Sequence, residues 1–198
     1  MTHRRDRREI RGKEKLKRGL SRFVRWAKAS LRSRQDVFNR IYNLNRWRDS
    51  ESASGSGSRL ESTEVIREEL PRLLKKYGVR TLLDAPCGDF NWMKTVELDV
   101  DEYIGIDIVE ELVETNRRQF SSDTKRFIKL DVVSDKLPSV DCIFCRDCLV
   151  HLSLNEAKQT IENVVKSGAE YFISTTFPQV KRNVEIFTGE WHPLNLCK

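Results

Sequence analysis

Residues 81–93, TLLDAPCGDFNWM, constrain the fold more than any other stretch of the chain. Leu82 and Leu83 form a short apolar run that ends on an acid, Asp84. A tight loop follows, Ala85-Pro86-Cys87-Gly88-Asp89, and Phe90-Asn91-Trp92-Met93 reads as the opening of a helix. A strand that stops at a glycine-containing turn and leads into a helix is how a doubly wound sheet offers backbone N–H groups to a ligand at its carboxyl edge. The turn holds one glycine, not the three of the dinucleotide fingerprint, and so does not by itself name the ligand.

Two further acids extend the pattern. Asp107 closes the run Tyr103-Ile104-Gly105-Ile106-Asp107, about 20 residues beyond the glycine, where a carboxylate can accept both hydroxyls of a ribose. Asp131 closes a third run, Phe127-Ile128-Lys129-Leu130-Asp131. Acids at three successive strand ends fall on one edge of one sheet. The competing reading is that they are solvated strand caps. Helical stretches alternate with the strands: one from Glu64, with Pro71 inside it and Gly78 ending it, then Glu110–Phe120 and Leu154–Lys166. The strands are Tyr103–Ile108, Arg126–Val132, Val140–Cys145 and Tyr171–Phe177. Such alternation specifies a parallel sheet with right-handed crossovers.

The segments DAPCGDFNWM, YIGIDIVEELVETNRR and CRDCLVHLS resemble those of class I S-adenosylmethionine-dependent methyltransferases, in a bacterial-type subgroup. The resemblance runs from about Phe38 to the end. It implies an α/β, Rossmann-like fold: a mostly parallel twisted sheet with helices on both faces. It implies S-adenosylmethionine as cofactor, held by Asp84, Pro86, Gly88 and Asp89 in the loop, by Asp107 and Ile108, by Asp131 and Val132 near the adenine, and by Cys145. Pro86 and Phe90 depart from the family, whose loop usually has glycines there. The implied reaction moves a methyl group to an O or N atom of an acceptor.

Charge separates the chain into parts. Residues 1–40 carry 15 Lys and Arg against 4 Asp and Glu; the rest carries 21 against 26. The basic balance therefore belongs to the amino-terminal tail. Leu16, Leu20, Phe23, Val24, Ala27 and Leu31 recur at helical spacing among basic residues, which predicts a basic amphipathic helix. Residues 1–34 are thus a candidate contact for nucleic acid or an anionic membrane surface, or a helix packed on the domain. The expected divisions are a tail at 1–36, an aromatic segment with a Ser/Gly-rich loop at 37–60, and the cofactor-binding domain at 61–198. Residues 49–58, DSESASGSGS, have linker composition. A similar ES-x-SG-x-GS stretch in the resembling subgroup implies instead a loop that folds over the cofactor. No run suits a membrane helix or secretory signal, and five cysteines fit a reducing cytoplasm.

Cys142, Cys145 and Cys148 have the C-x-x-C-x-x-C spacing of a metal or cluster site. On a strand, however, positions three apart face opposite sides, so these read as core residues and no metal is expected. Beyond the fourth strand lie the catalytic candidates Arg146, Asp147 and His151. A carboxylate at 147 holding an imidazole four residues on, if a helical turn begins there, would make a general base. Arg146 suits a carboxylate of the cofactor or an anionic acceptor. A histidine at this place in the family more often packs or caps.

After Phe177 there is room for one more strand, at Val184–Phe187, where the family has a two-strand hairpin. The hairpin is expected to be truncated, leaving a strand edge that self-associates or is covered by a partner chain. Residues 189–196 resemble a GxWRPLNL segment, with His192 where Arg is usual. Two other classes fit part of the pattern. One is a nicotinamide-dependent oxidoreductase, against which the missing G-x-G-x-x-G counts. The other is a non-catalytic cofactor-binding or nucleic-acid-binding protein.

Overall fold

The computed structural model describes residues 32–198. The amphipathic helix expected within residues 16–31 lies outside that range. The chain divides between Ser33 and Arg34 into two units, and the fold below is that of the second.

Five strands form one parallel sheet: β1 (Thr81–Asp84), β2 (Glu102–Asp107), β3 (Lys125–Lys129), β4 (Cys142–Cys145) and β5 (Tyr171–Ser174), in the order β3-β2-β1-β4-β5. Four helices accompany it: α1 (Arg34–Asn43), α2 (Glu64–Lys76), α3 (Glu110–Phe120) and α4 (Leu154–Ser167). The strand order reverses between β1 and β4, and a crevice at such a reversal is where open α/β sheets bind ligands.

The two-residue period of each strand divides the core. Leu82, Tyr103, Phe127 and Cys142 pack on one face with Leu70 and Leu74 of α2 and Val113 of α3. Leu83, Ile104 and Ile143 pack on the other with Val164 of α4. Helices therefore cover both faces, and the three central strands β1, β2 and β4 are buried on both sides, as parallel sheets require. Gly105 in β2 has no room for a side chain: a Cβ there would lie 2.7 Å from the Phe127 ring. Helix α4 starts with a capping box, Ser153 with Glu156, and ends at Gly168 in the left-handed region. Helix α2 runs through Pro71, and its N-cap Thr63 does not cap it; the Thr63 hydroxyl instead donates to the Arg59 carbonyl.

Three sequence expectations need correction. No α-helix follows β1. Phe90 takes a φ of 58°, and only a short 3-10 turn forms, Met93–Thr95. A bulky residue in the left-handed region interrupts helical winding, and few residues remain before β2. Strand β3 ends at Lys129, so Asp131 lies in a turn two residues past it, closed by Ser134 N–H donating to the Asp131 carbonyl. Val184–Phe187 forms no strand, and β5 is an edge of the sheet among the described residues.

Candidate active site

The carboxyl ends of β1, β2 and β4 open into a cavity of about 610 Å³, within the ~300–1,000 Å³ range of small-molecule sites. Its floor is the loop after β1. Gly88 sits at φ 55°, and its N–H donates to Asp107 Oδ2 at 3.2 Å. Val109 N–H donates to Asp107 Oδ1 at 2.8 Å. Each carboxylate oxygen thus accepts one N–H and keeps acceptor capacity toward the cavity. Burial pushes the Asp107 pKa up to about 6, against the opposing pull of the Val109 and Gly88 N–H groups. Burial pushes Asp84 further, to about 7, although the Tyr103 hydroxyl donates to it at 2.5 Å.

The Ser/Gly-rich stretch is not a free linker but a strap over this loop. The Ser52 hydroxyl and Ala53 N–H donate to Asp89 Oδ2 at 2.9 and 2.7 Å, and the Ser54 hydroxyl donates to Oδ1 at 3.2 Å. Asn91 donates to Glu51 and to the Ser58 carbonyl. Buried Asp49 anchors the other end by accepting the Glu51 and Ser52 N–H groups, which hold its carboxyl below the usual range. A Cβ on Gly88 would lie 2.2 Å from Ser54 Oγ, so the close approach of strap and loop requires glycine there.

Helix α1 forms a second wall. Arg34, Phe38 and Tyr42, four residues apart, share one helical face and line the cavity. Arg34 clamps Asp131 at 2.8 Å and Glu156 at 2.8 Å. Past β4, Arg146 lies over the Trp92 ring, donates to the Gly57 carbonyl at 2.9 Å and pairs with Asp147 at 3.1 Å. Asp147 accepts the Thr175 hydroxyl at 3.0 Å. His151 Nδ1 is 2.9 Å from the Glu190 carbonyl. A carbonyl only accepts, so Nδ1 carries the proton and Nε2 is the acceptor nitrogen. Burial lowers the His151 pKa below its ordinary value, partly offset by that carbonyl.

Of the expected site residues, Asp84, Pro86, Gly88, Asp107, Ile108, Asp131, Val132, Arg146, Asp147 and His151 line the cavity. Asp89 and Cys145 do not. The Asp89 carboxylate is taken up by the strap, and fully buried Cys145 packs with Leu149, Val150 and Leu152. The expected Asp147–His151 pairing is not formed. A short 3-10 turn begins only at Leu149, Asp147 has a φ of 51°, and its carboxylate faces Thr175 and Arg146. Cys142 and Cys145 pack in different clusters, as their strand spacing implies. Arg34, Trp47, Glu190 and Trp191 line the cavity without having been singled out. The i, i+4 spacing of Arg34, Phe38 and Tyr42 was the one local signal available for this wall. His192 is buried, and neither ring nitrogen has a hydrogen-bond partner among the described residues.

Residues 83–173 match the family model described as a methyltransferase domain. Among solved structures, the S-adenosylmethionine-bound magnesium protoporphyrin IX methyltransferase of Synechocystis PCC 6803 matches with 16% identity and a TM-score of 0.56, covering 75% of this chain and 78% of that one. The N-methyltransferase NodS of Bradyrhizobium japonicum WM9, with S-adenosylhomocysteine, matches with 18% identity and a TM-score of 0.51, covering 65% and 67%. The chain spans 57% of the S-adenosylhomocysteine-bound form of the Synechocystis enzyme. No curated protein matches the sequence. The fold is the α/β, Rossmann-like fold of these methyltransferases, and residues 83–173 are similar to a methyltransferase domain. None of the helices among the described residues is long and apolar enough to cross a membrane.

Proposed function

We propose that the protein transfers the methyl group of S-adenosylmethionine to an O or N atom of an acceptor bound in the same cavity. The observation that carries this reading is Asp107. Its buried carboxylate at the end of β2 is held by two backbone N–H groups and keeps free acceptor capacity facing the cavity. That arrangement fits the two ribose hydroxyls of the cofactor. Bound there, S-adenosylmethionine supplies an electrophilic methyl group. Val132 lines the adenine side, where its backbone can read the amino edge while Arg34 occupies the Asp131 carboxylate.

The protein's own contribution is alignment and one base. Alignment of two reactants is worth about 7–11 kcal/mol. The strap and α1 wall the cavity. Nε2 of His151 is suited to take the acceptor's proton, because the Glu190 carbonyl fixes the tautomer and the lowered pKa keeps the ring neutral near pH 7. We assign Asp147 to hold Arg146 against the strap rather than to act on His151. A cytoplasmic location, an acidic partner for residues 1–34, and a partner chain on the β5 edge complete the reading.

The test combines calorimetry with labelling. The purified chain should bind S-adenosylmethionine and S-adenosylhomocysteine but neither nicotinamide dinucleotide. It should also incorporate label from the methyl donor into a component of cell extract. Binding of a nicotinamide dinucleotide in place of the sulfonium cofactor would overturn the proposal.

A further inference from the structure

The end of the cavity away from Asp107 and Asp131 has a chemistry of its own. Trp47 and His151 stack with ring centroids 5.3 Å apart and planes tilted by 37°. Phe177 and Trp191 meet edge to face at 6.0 Å and 90°. All four line the cavity, yet the Trp191 side chain remains 57% exposed. Its position is built in. Gly189 N–H donates to the His151 carbonyl at 2.8 Å, and His192 N–H donates to the Val150 carbonyl at 3.0 Å, so residues 189–192 are stitched to the turn after β4. A Cβ on Gly189 would lie 2.6 Å from Val37, which wedges the same segment against α1.

Each charged group at this end holds at least one partner. Arg146 holds Asp147 and the Gly57 carbonyl, Asp147 holds the Thr175 hydroxyl, and the Glu190 carboxylate accepts the Phe187 N–H. What this end chiefly offers a ligand is ring surface, with Nε2 of His151 as the nitrogen able to take a proton. A sugar needs many polar partners. A flat ring with a hydroxyl needs only a face to stack on and one acceptor.

We propose that the methyl acceptor is a planar hydroxyaromatic compound, of the phenol class, stacked against Trp47 and Trp191 with its hydroxyl on His151 Nε2. The inference deepens the methyltransferase reading and rests on it. The phenolic oxygen gives up its proton to Nε2 and forms the new O–CH3 bond with a lone pair. The methyl–sulfur bond breaks with its electron pair staying on sulfur, leaving an aryl methyl ether and the neutral thioether. The ring stack places the hydroxyl, and His151 neutralises the charge it would otherwise retain.

The test begins with calorimetry of S-adenosylhomocysteine binding to the full chain. Absence of binding removes the methyltransferase reading and this inference together. Given binding, the saturated complex is titrated with 7-hydroxycoumarin and catechol, and with cyclohexanol, cyclohexylamine and glucosamine as contrasts. The hydroxyaromatic probes should bind at least about tenfold tighter than cyclohexanol. Trp191→Ala should remove about that factor, and Trp191→Phe should restore most of it, as the loss and return of an aromatic stacking face require. With labelled S-adenosylmethionine, label should appear on the phenolic oxygen. Equal affinity for ring and non-ring probes would overturn the inference while leaving the methyltransferase reading in place. So would label on the amine or the aliphatic alcohol, or indifference to Trp191→Ala.

Discussion

Asp84 carries a cost that a single substitution exposes. Its pKa rises from the ordinary carboxylate value to about 7 because it is buried, so the folded state favours the protonated form. The stability this group contributes is therefore complete below about pH 4 and is lost as the pH rises through 7. Asp84→Asn keeps an acceptor for the Tyr103 hydroxyl and removes the charge. Its melting temperature should exceed that of the parent at about pH 8 by at least ~2 °C, the shift that about 1 kcal/mol produces in a domain of this size, and should match it near pH 5. Thermal melts at the two pH values check this. His151 makes a second residue-level prediction. His151→Asn should lower kcat by about 10²–10⁴-fold with cofactor affinity nearly unchanged. The parent's kcat should rise with pH through a value below the ordinary histidine pKa and be level near neutrality, as its lowered pKa requires.

Among the elements, β1, β2, α3 and α4 could be read from the sequence because short-range pattern decides them. Short apolar runs ended by Asp84 and Asp107, the box Ser153–Glu156 and the stop at Gly168 are all local signals. The helix after β1 failed because Phe90 adopts a left-handed φ that its residue type does not announce. The strap was opaque for a different reason. DSESASGSGS has a linker's composition, and its order comes from Asp89, 37 residues beyond Ser52, which no local pattern reveals. The cofactor edge was thus legible, whereas the wall made by α1, Trp47 and Trp191 depends on distant segments meeting. The strap gives a prediction of its own. Asp89→Ala leaves Ser52, Ala53 and Ser54 without their shared acceptor and should cost at least about 1.5 kcal/mol, the lower end for hydrogen bonds to a charged group. Limited proteolysis should then cut between residues 52 and 58 in the variant and not in the parent.

As a whole molecule, the chain joins a basic segment to an acidic domain, and the division falls between Ser33 and Arg34. Among the described residues, the cavity is lined from Arg34 to Trp191, all within the second unit. Removal of residues 1–33 should therefore leave cofactor affinity unchanged in calorimetry. The same removal should abolish nucleic-acid affinity that falls steeply with salt and ignores sequence, as phosphate contacts do. The decisive experiment for the methyltransferase reading is isothermal titration of S-adenosylmethionine into the full chain and into Asp107→Ala. Asp107 meets both ribose hydroxyls in this reading, and a hydrogen bond to a charged group is worth about 1.5–3 kcal/mol. Saturable one-site binding in the parent, weakened about 10- to 100-fold in a variant that still melts cooperatively, is the predicted result. Equal affinity in parent and folded variant, or no binding to the parent, would contradict it.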